Sequence, residues 1–88
     1  MLERNTIRRT LIEIMEADTG ESYASIKDDS SLREDIGLDS VDVVSIVSQV
    51  ERRFRIRLAQ QDLEKLVTFG DVVQLLQVKL SEAETKAA

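Results

Sequence analysis

The feature that most constrains this chain is a helical stripe of apolar residues that begins just after Ser40. The apolar side chains recur at i, i+3, i+4, i+7 and i+11. They are Val43, Ile46, Val47, Val50 and Phe54. At about 100° per residue they share one side of an amphipathic helix, so we predict a helix over Ser40–Phe54 whose stripe faces the core. The opposite side should be surface, and it carries Val41, Val44, Ser45, Ser48 and Arg52.

The start of this helix combines a serine with acidic residues. Asp39 or Ser40 is a natural N-cap, and Asp42 lies in the first turn, where the helix dipole favours a negative charge. The Ser40 hydroxyl therefore lies near unpaired backbone N–H groups, which would stabilise a phosphate ester on its oxygen. A plain N-cap without any ligand is equally compatible with this pattern.

Three further helices are expected. The first runs from Thr6 to Glu16 with Asn5 as its N-cap, the third is short, from Gln60 to Leu66, and the fourth begins after Thr68. Their apolar stripes are Ile7, Leu11, Ile14 and Met15 in the first, Leu63 and Leu66 in the third, and Phe69, Val72, Val73, Leu76 and Leu80 in the fourth. Residues 17–39 read as a long loop, in which Ser31 and Glu34 have the spacing of a capping box.

These elements predict an all-α fold, a small four-helix bundle with three main helices, one short helix and a long first loop. The chain of 88 residues should form a single domain, with its core between residues 6 and 80 and a polar, frayed tail over residues 81–88. Residues 55–58 alternate as a strand would, but no other segment could pair with them.

Missing residue types exclude several kinds of chemistry. The chain has no Cys and no His, which excludes disulfides, thiolate metal sites and Ser-His triads. We therefore expect no catalytic residues, no metal site and no enzymatic activity. The N-terminus lacks a secretory apolar segment, and no run approaches the roughly 20 apolar residues of a membrane span. A cytoplasmic location is the resulting expectation.

The negative charge is concentrated before the Ser40 helix. The net charge is −5, but residues 16–42 hold nine acidic and only two basic side chains. This distribution argues against nucleic acid as a partner and favours proteins with basic docking surfaces. For any single acid, a solvated loop charge is the simpler interpretation.

The Asp39-Ser40-Val41 segment resembles the Asp-Ser-Leu motif of the acyl carrier proteins, whose serine receives 4′-phosphopantetheine from coenzyme A. Ser31-Leu32, Glu34-Asp35-Ile36-Gly37, Phe54 and Glu64-Lys65-Leu66 with Thr68 lie in register with the same family. The resemblance covers about residues 6–80. It implies covalent attachment of the cofactor to Ser40 by a separate phosphopantetheinyl transferase, with Asp39 helping to place that enzyme and its metal ion.

The resemblance also implies a function and a set of partners. The protein would carry acyl intermediates as thioesters on the cofactor in fatty-acid, specialised lipid or polyketide biosynthesis. Its partners would be acyl-transferring, ketosynthase or acyl-activating enzymes, and the protein itself is expected to be a monomer. The implied partner-binding residues are Val41, Asp42, Val44, Ser45, Ser48, Glu51 and Arg52. The implied acyl pocket consists of Val43, Ile46, Val47, Val50, Phe54, Leu63, Leu66, Val72, Val73 and Leu76.

The outer face of the second helix departs from the family pattern, because Ser45, Arg52 and Arg53 stand where fatty-acid carriers usually have acids. This difference favours a dedicated pathway over the main fatty-acid cycle. Two alternatives remain. A peptidyl or aminoacyl carrier would usually show a Gly-Gly-x-Ser-Leu segment, whereas this chain has Gly37-Leu38-Asp39-Ser40. An acidic helical interaction module would use Ser40 only as a cap.

Overall fold

A computed structural model describes residues 3–23 and 25–87, with side chains described up to Glu82. These described residues form four helices, α1 (Arg4–Thr19), α2 (Ser40–Phe54), α3 (Gln60–Glu64) and α4 (Phe69–Ala87). In these residues the only β-type pairing is an isolated antiparallel bridge between Ser31 and Thr68. The predicted all-α architecture of three main helices and one short helix is confirmed.

The bounds predicted for α2 are confirmed, whereas those of α1 were too narrow at both ends. Asn5 lies inside α1, and the N-cap position is Glu3, which makes no side-chain capping hydrogen bond. At the other end, Gly20 adopts a left-handed conformation with φ of 77° and donates its N–H to the carbonyl of Glu16. Glycine reaches this conformation without steric cost, which explains why α1 ends there.

The last two helices also differ from their predicted bounds. α3 ends at Glu64, two residues before Leu66, and the side chains of Leu63 and Leu66 are only partly buried. The backbone of α4 is helical to Ala87, so residues 81–87 of the predicted polar tail belong to this helix, and the fraying of the tail stays a prediction. Ala88 lies outside the described residues.

Acidic side chains close the beginnings of α3 and α4. Asp62 accepts the N–H of Ala59 at 3.0 Å. Asp71 accepts the N–H groups of Thr68 and Val67, each at 3.0 Å, while the Thr68 hydroxyl accepts the N–H of Asp71. The predicted cap at Thr68 is thus confirmed. These backbone hydrogen bonds stabilise the charged carboxylates and lower the pKa of both Asp62 and Asp71, with Lys79 adding to the effect at Asp62.

The core is mostly aliphatic, with Phe69 as its buried aromatic residue, and it centres on α1, which packs against both α2 and α4. All four residues of the predicted α1 stripe are buried, and two leucines from the first loop join them. The buried core consists of Ile7, Leu11, Ile14, Met15, Leu32, Leu38, Ile46, Val50, Phe69, Val73 and Leu76. Of the α2 stripe, Ile46 and Val50 are buried, and the other three side chains are partly exposed.

The long first loop is fixed to the beginning of α4 by backbone hydrogen bonds. The N–H of Gly70 donates to the carbonyl of Asp28 at 2.8 Å, and the N–H of Phe69 donates to that of Ser30 at 2.9 Å. The contact at Gly70 is so close that a Cβ atom there would lie 2.8 Å from the Asp28 oxygen. The part of the loop around Asp28 and Ser30 is therefore held in place by its backbone contacts with α4.

Two arginines of α1 hold the same part of the loop. Arg4 donates to the Asp28 carboxylate at 2.8 Å, and Arg8 also pairs with it. The Arg8 guanidinium lies 5.0 Å from the centre of the Phe69 ring, within cation–π range. The hydrogen bond from Arg4 and the charges of both arginines lower the pKa of Asp28. The basic side of α1 therefore has a structural role that its sequence did not reveal.

Candidate functional site

The start of α2 is closed by a reciprocal capping box. The Asp39 carboxylate accepts the N–H of Asp42 at 2.9 Å, and the Asp42 carboxylate accepts the N–H of Asp39 at 3.3 Å. Asp39 is thus the N-cap, which decides between the two candidates that the sequence allowed. Ser40 becomes the first residue of the helix.

The Ser40 side chain is exposed, and its hydroxyl has no hydrogen-bond partner among the described residues. The capping box takes the N–H of Asp42, and the carbonyl of Asp39 accepts the N–H of Val43. The N–H groups of Ser40 and Val41 remain available at the positive end of the helix. A phosphate ester on the Ser40 oxygen would meet both donors, so the residues present fit such a group.

Among the residues that the structure describes, none is placed as a base for this hydroxyl. Within the described part of the chain no side chain hydrogen-bonds to it, and the sequence has no histidine. The described residues therefore show no arrangement that would activate Ser40 as a nucleophile. Asp39, the exposed residue beside it, uses one carboxylate oxygen for the cap and keeps the other available.

The segment before Ser40 is fixed by a compact turn. The N–H of Leu38 donates to the carbonyl of Leu32 at 2.8 Å, and both side chains are buried. The Ser31 hydroxyl accepts the N–H of Glu34 at 3.2 Å, but the returning carboxylate on the Ser31 N–H belongs to Asp35. The predicted capping box at Ser31 thus forms with Asp35 in place of Glu34.

The seven predicted partner-binding residues divide into two groups. Four are exposed: Val41, Val44, Ser48 and Arg52. The other three are partly buried and engaged within the protein. Asp42 belongs to the capping box, Ser45 donates its hydroxyl to Asp18 at 2.6 Å, and Glu51 accepts the N–H of Leu58 at 2.9 Å. Val41 and Val44, with 76% and 63% of their side chains exposed, form an apolar patch next to Ser40.

Asp18 is a residue of this region that the sequence did not single out. Its carboxylate accepts both the Ser45 hydroxyl and the Gln49 amide, the latter at 2.8 Å, and so joins the last turn of α1 to α2. Ser45 and Gln49 are four residues apart, so they lie on one side of the helix and can share an acceptor. The spacing of Ser45 and Gln49 was the sequence feature that could have indicated a shared acceptor on this side of α2.

A small apolar cavity of about 30 Å³ lies between α1, α2 and the beginning of α4. It is lined by Leu11, Met15, Leu32, Leu38, Val43, Ile46, Val47, Val50, Leu58, Leu66 and Val72. Six of the ten predicted pocket residues are among them. Phe54, Leu63, Val73 and Leu76 are not, and the last two are fully buried in the core instead. The cavity-lining residues from α1 and the loops were not predicted, because the sequence pattern does not show which elements pack against one another.

Within the residues described, no helix is long and apolar enough to cross a membrane. In the same residues, no group of three or more His, Cys, Asp or Glu side chains is placed to hold a metal ion. The cytoplasmic location and the monomeric state expected from the sequence stay predictions.

The chain matches the family described as "Phosphopantetheine attachment site" over residues 6–76. It is 35% identical over 78 residues to an acyl carrier protein of Exiguobacterium, covering 85% of this chain and 99% of that protein. A second relative, an acyl carrier protein of Thermotoga maritima, is 31% identical over 80 residues, covering 91% and 99%.

The fold has a counterpart among solved structures. The crystal structure of a Thermotoga maritima acyl carrier protein superposes with a TM-score of 0.85 at 24% identity, covering 93% of this chain and 95% of that one. Sequence and fold thus agree over most of the chain. The protein belongs to the acyl carrier proteins, a family of carriers rather than enzymes that hold 4′-phosphopantetheine covalently.

Proposed function

We propose that Ser40 is the attachment residue for 4′-phosphopantetheine and that the protein carries acyl groups as thioesters on it. The observation that carries this assignment is the exposed, unbonded Ser40 hydroxyl at the first position of α2, beside two free backbone N–H groups. The cofactor supplies a terminal thiol, which the polypeptide lacks because it has no cysteine.

The residues around Ser40 have distinct roles in this proposal. The N–H groups of Ser40 and Val41 donate to the phosphate oxygens at the positive end of the helix. Asp39 holds the first turn closed and presents its second carboxylate oxygen to the transferase. The transferase would remove the proton of the Ser40 hydroxyl, since no base in the described part of the chain contacts it.

The assignment is tested by mass spectrometry after incubation with coenzyme A and a broad-specificity phosphopantetheinyl transferase. We expect the wild type to gain one phosphopantetheinyl group and Ser40→Ala to gain none. Ser48→Ala is the matched control, since Ser48 is also exposed on α2 and should leave the mass gain intact. Modification of Ser40→Ala, or none of the wild type, would contradict the assignment.

The exposed patch of Val41 and Val44 supports acyl-transferring, ketosynthase or acyl-activating enzymes as partners, because a partner that reaches Ser40 must also cover these side chains. We assign the carrier to a dedicated lipid or polyketide pathway. The support is that Arg52 and Arg53, both exposed, give the far end of α2 a positive charge.

The pathway proposal predicts that housekeeping fatty-acid enzymes elongate acyl chains on this protein slowly, and that Arg52→Glu with Arg53→Glu increases the rate. Ser45→Glu is unsuitable for this test, because it would place a second carboxylate against Asp18. Arg9→Glu with Arg33→Glu, at exposed positions away from α2, is the charge-matched control. A wild-type rate already equal to that of the double variant would refute the dedicated pathway.

We place the acyl chain of the cargo in the apolar cavity beneath α2. The present volume of about 30 Å³ is roughly that of one water molecule, so the cavity must widen for a longer chain. Each buried CH₂ contributes about 0.8 kcal/mol towards that opening. α3 is the element that moves most easily, since it contains no buried residue.

This placement is tested by comparing thermal unfolding of the holo protein with and without an octanoyl group on the thiol. Octanoylation should raise the Tm of the wild type and of Val44→Phe, whose added ring is on the exposed side of α2. It should leave the Tm of Val47→Phe nearly unchanged, since that ring fills the cavity. Equal stabilisation of all three proteins would place the acyl chain elsewhere.

A further inference from the structure

An open groove of about 1000 Å³ lies at the end of α2 opposite Ser40, between the last turns of α2, the connection to α3 and the side of α4. Its cationic lining residues are Arg52, Arg55, Arg57 and Lys79, and its acidic ones are Glu51 and Glu82. The lining therefore carries a net positive charge in a protein whose net charge is −5.

The three arginines of the groove are free to bind a partner. None of them makes a hydrogen bond or ion pair with its side chain within the described residues. Lys79, by contrast, is 3.3 Å from the Asp62 carboxylate, so its charge is already balanced. Arg52, Arg55 and Arg57 thus present uncompensated guanidinium groups, which bind carboxylates through paired hydrogen bonds.

The backbone explains why these arginines share one groove. α2 ends at Phe54, and its C-cap Arg55 is a non-glycine residue in the left-handed conformation with φ of 56°, which turns the chain away from the helix axis. In the connection that follows, Arg55 and Arg57 are exposed, so both guanidinium groups lie on its solvent side. Ile56 and Leu58 lie partly buried against the core and supply apolar surface to the groove.

We propose that this groove, bounded by Arg52, Arg55 and Arg57, docks an acidic amphipathic segment of a partner protein. The apolar surface of Ile56 and Leu58 between cationic side chains matches a segment that alternates carboxylates with a few apolar side chains. Nucleic acid and anionic membranes fit less well, since such extended polyanions would also meet the strongly acidic residues 16–42.

The groove is separate from the attachment site. Arg52 follows Ser40 by a helical rise of about 18 Å, so a partner held in the groove leaves the Ser40 end of α2 accessible. Binding of the acidic segment should not require the cofactor. It should also not depend on whether Ser40 is the residue that carries the cofactor. Ser40→Ala protein is therefore expected to bind as well as the wild type.

The test is fluorescence anisotropy with a labelled acidic peptide of about 12 residues, carrying glutamates and leucines at helical spacing. Wild type and Ser40→Ala should bind it equally, and Arg52→Glu with Arg57→Glu should weaken binding about tenfold or more. Arg9→Glu with Arg33→Glu changes the net charge equally and should have little effect. Circular dichroism checks the fold, and Arg52→Gln with Arg57→Gln provides a milder variant.

Four results would overturn the proposal. The first is no binding to the wild type, and the second is equal weakening by both charge-reversed pairs, which would indicate general electrostatics. The third is tighter binding to anionic phospholipid vesicles or to single-stranded DNA than to the peptide. The fourth is self-association in sedimentation runs that the Arg52→Glu, Arg57→Glu pair abolishes, since a second copy would then be the occupant.

Discussion

Replacing Gly70 by alanine adds one methyl group, which has two opposing effects on the stability of the protein. Gly70 lies in the first turn of α4, where alanine would favour the helix by about 1 kcal/mol. The same Cβ atom would lie 2.8 Å from the carbonyl oxygen of Asp28 and 3.1 Å from its Cβ. Because both are part of, or adjacent to, the loop backbone, the loop must move away from α4.

The size of the effect follows from the contacts that such a movement breaks. The hydrogen bonds from Gly70 to Asp28 and from Phe69 to Ser30 hold the loop on α4. At about 1 kcal/mol each, their loss exceeds the gain in helix propensity, and weaker pairing of Asp28 with the α1 arginines adds to it. We expect Gly70→Ala to lower the free energy of unfolding by about 1–2 kcal/mol, which corresponds to a Tm decrease of about 4–15 °C.

Urea unfolding followed by circular dichroism measures this change, with Gln74→Ala as the control on the exposed side of the same helix. Limited trypsin digestion adds a local readout, because loop release should accelerate cleavage after Lys27 and Arg33 beyond what the global change explains. A Gly70→Ala protein at least as stable as the wild type, with unchanged loop cleavage, would refute the docking of the loop on α4.

Two further predictions concern the helix termini. Asp39→Ala removes the side-chain acceptor for the Asp42 N–H, one half of the α2 capping box, and should lower the free energy of unfolding by about 1 kcal/mol in urea titrations, whereas Asp39→Asn should lose less; equal losses would show that the side-chain acceptor is unimportant. The lowered pKa values of Asp28, Asp62 and Asp71 add stability that is present above their ordinary pKa and is lost as the pH falls through the folded values. Unfolding free energy should therefore decrease from about pH 5 towards pH 2, less steeply in Asp71→Asn, and an unchanged slope would rule out that contribution.

The bounds of a helix were predictable where a strong apolar stripe coincided with a local signal for the helix start. α2 has both, since its five-residue stripe begins behind Asp39 and Asp42, and its bounds were correct. α1 begins after Glu3, whose side chain makes no capping hydrogen bond, so no residue type indicated where this helix starts. The helical continuation of α4 through a polar segment was likewise not signalled by periodicity.

The location of the site in the chain was predictable from the sequence, but the contacts between its residues were not. The exposure of Ser40 follows from its place at a helix start, and the choice of Asp39 as the N-cap needed the geometry of Asp42. The link from Asp18 to Ser45 joins residues 27 apart, and the docking of the loop on α4 uses backbone atoms that all sequences share. Contacts of this kind cannot be inferred from the pattern of residue types in a single sequence.

The position of Ser40 depends on a part of the chain far from it in sequence. The carbonyl of Val67 accepts the N–H of Leu32, whose own carbonyl accepts the N–H of Leu38, one residue before the N-cap. Anyone grafting this attachment segment onto another scaffold would need to transplant the stretch around Val67 as well. Without those backbone hydrogen bonds, the grafted serine would lie on a mobile loop rather than at a fixed position.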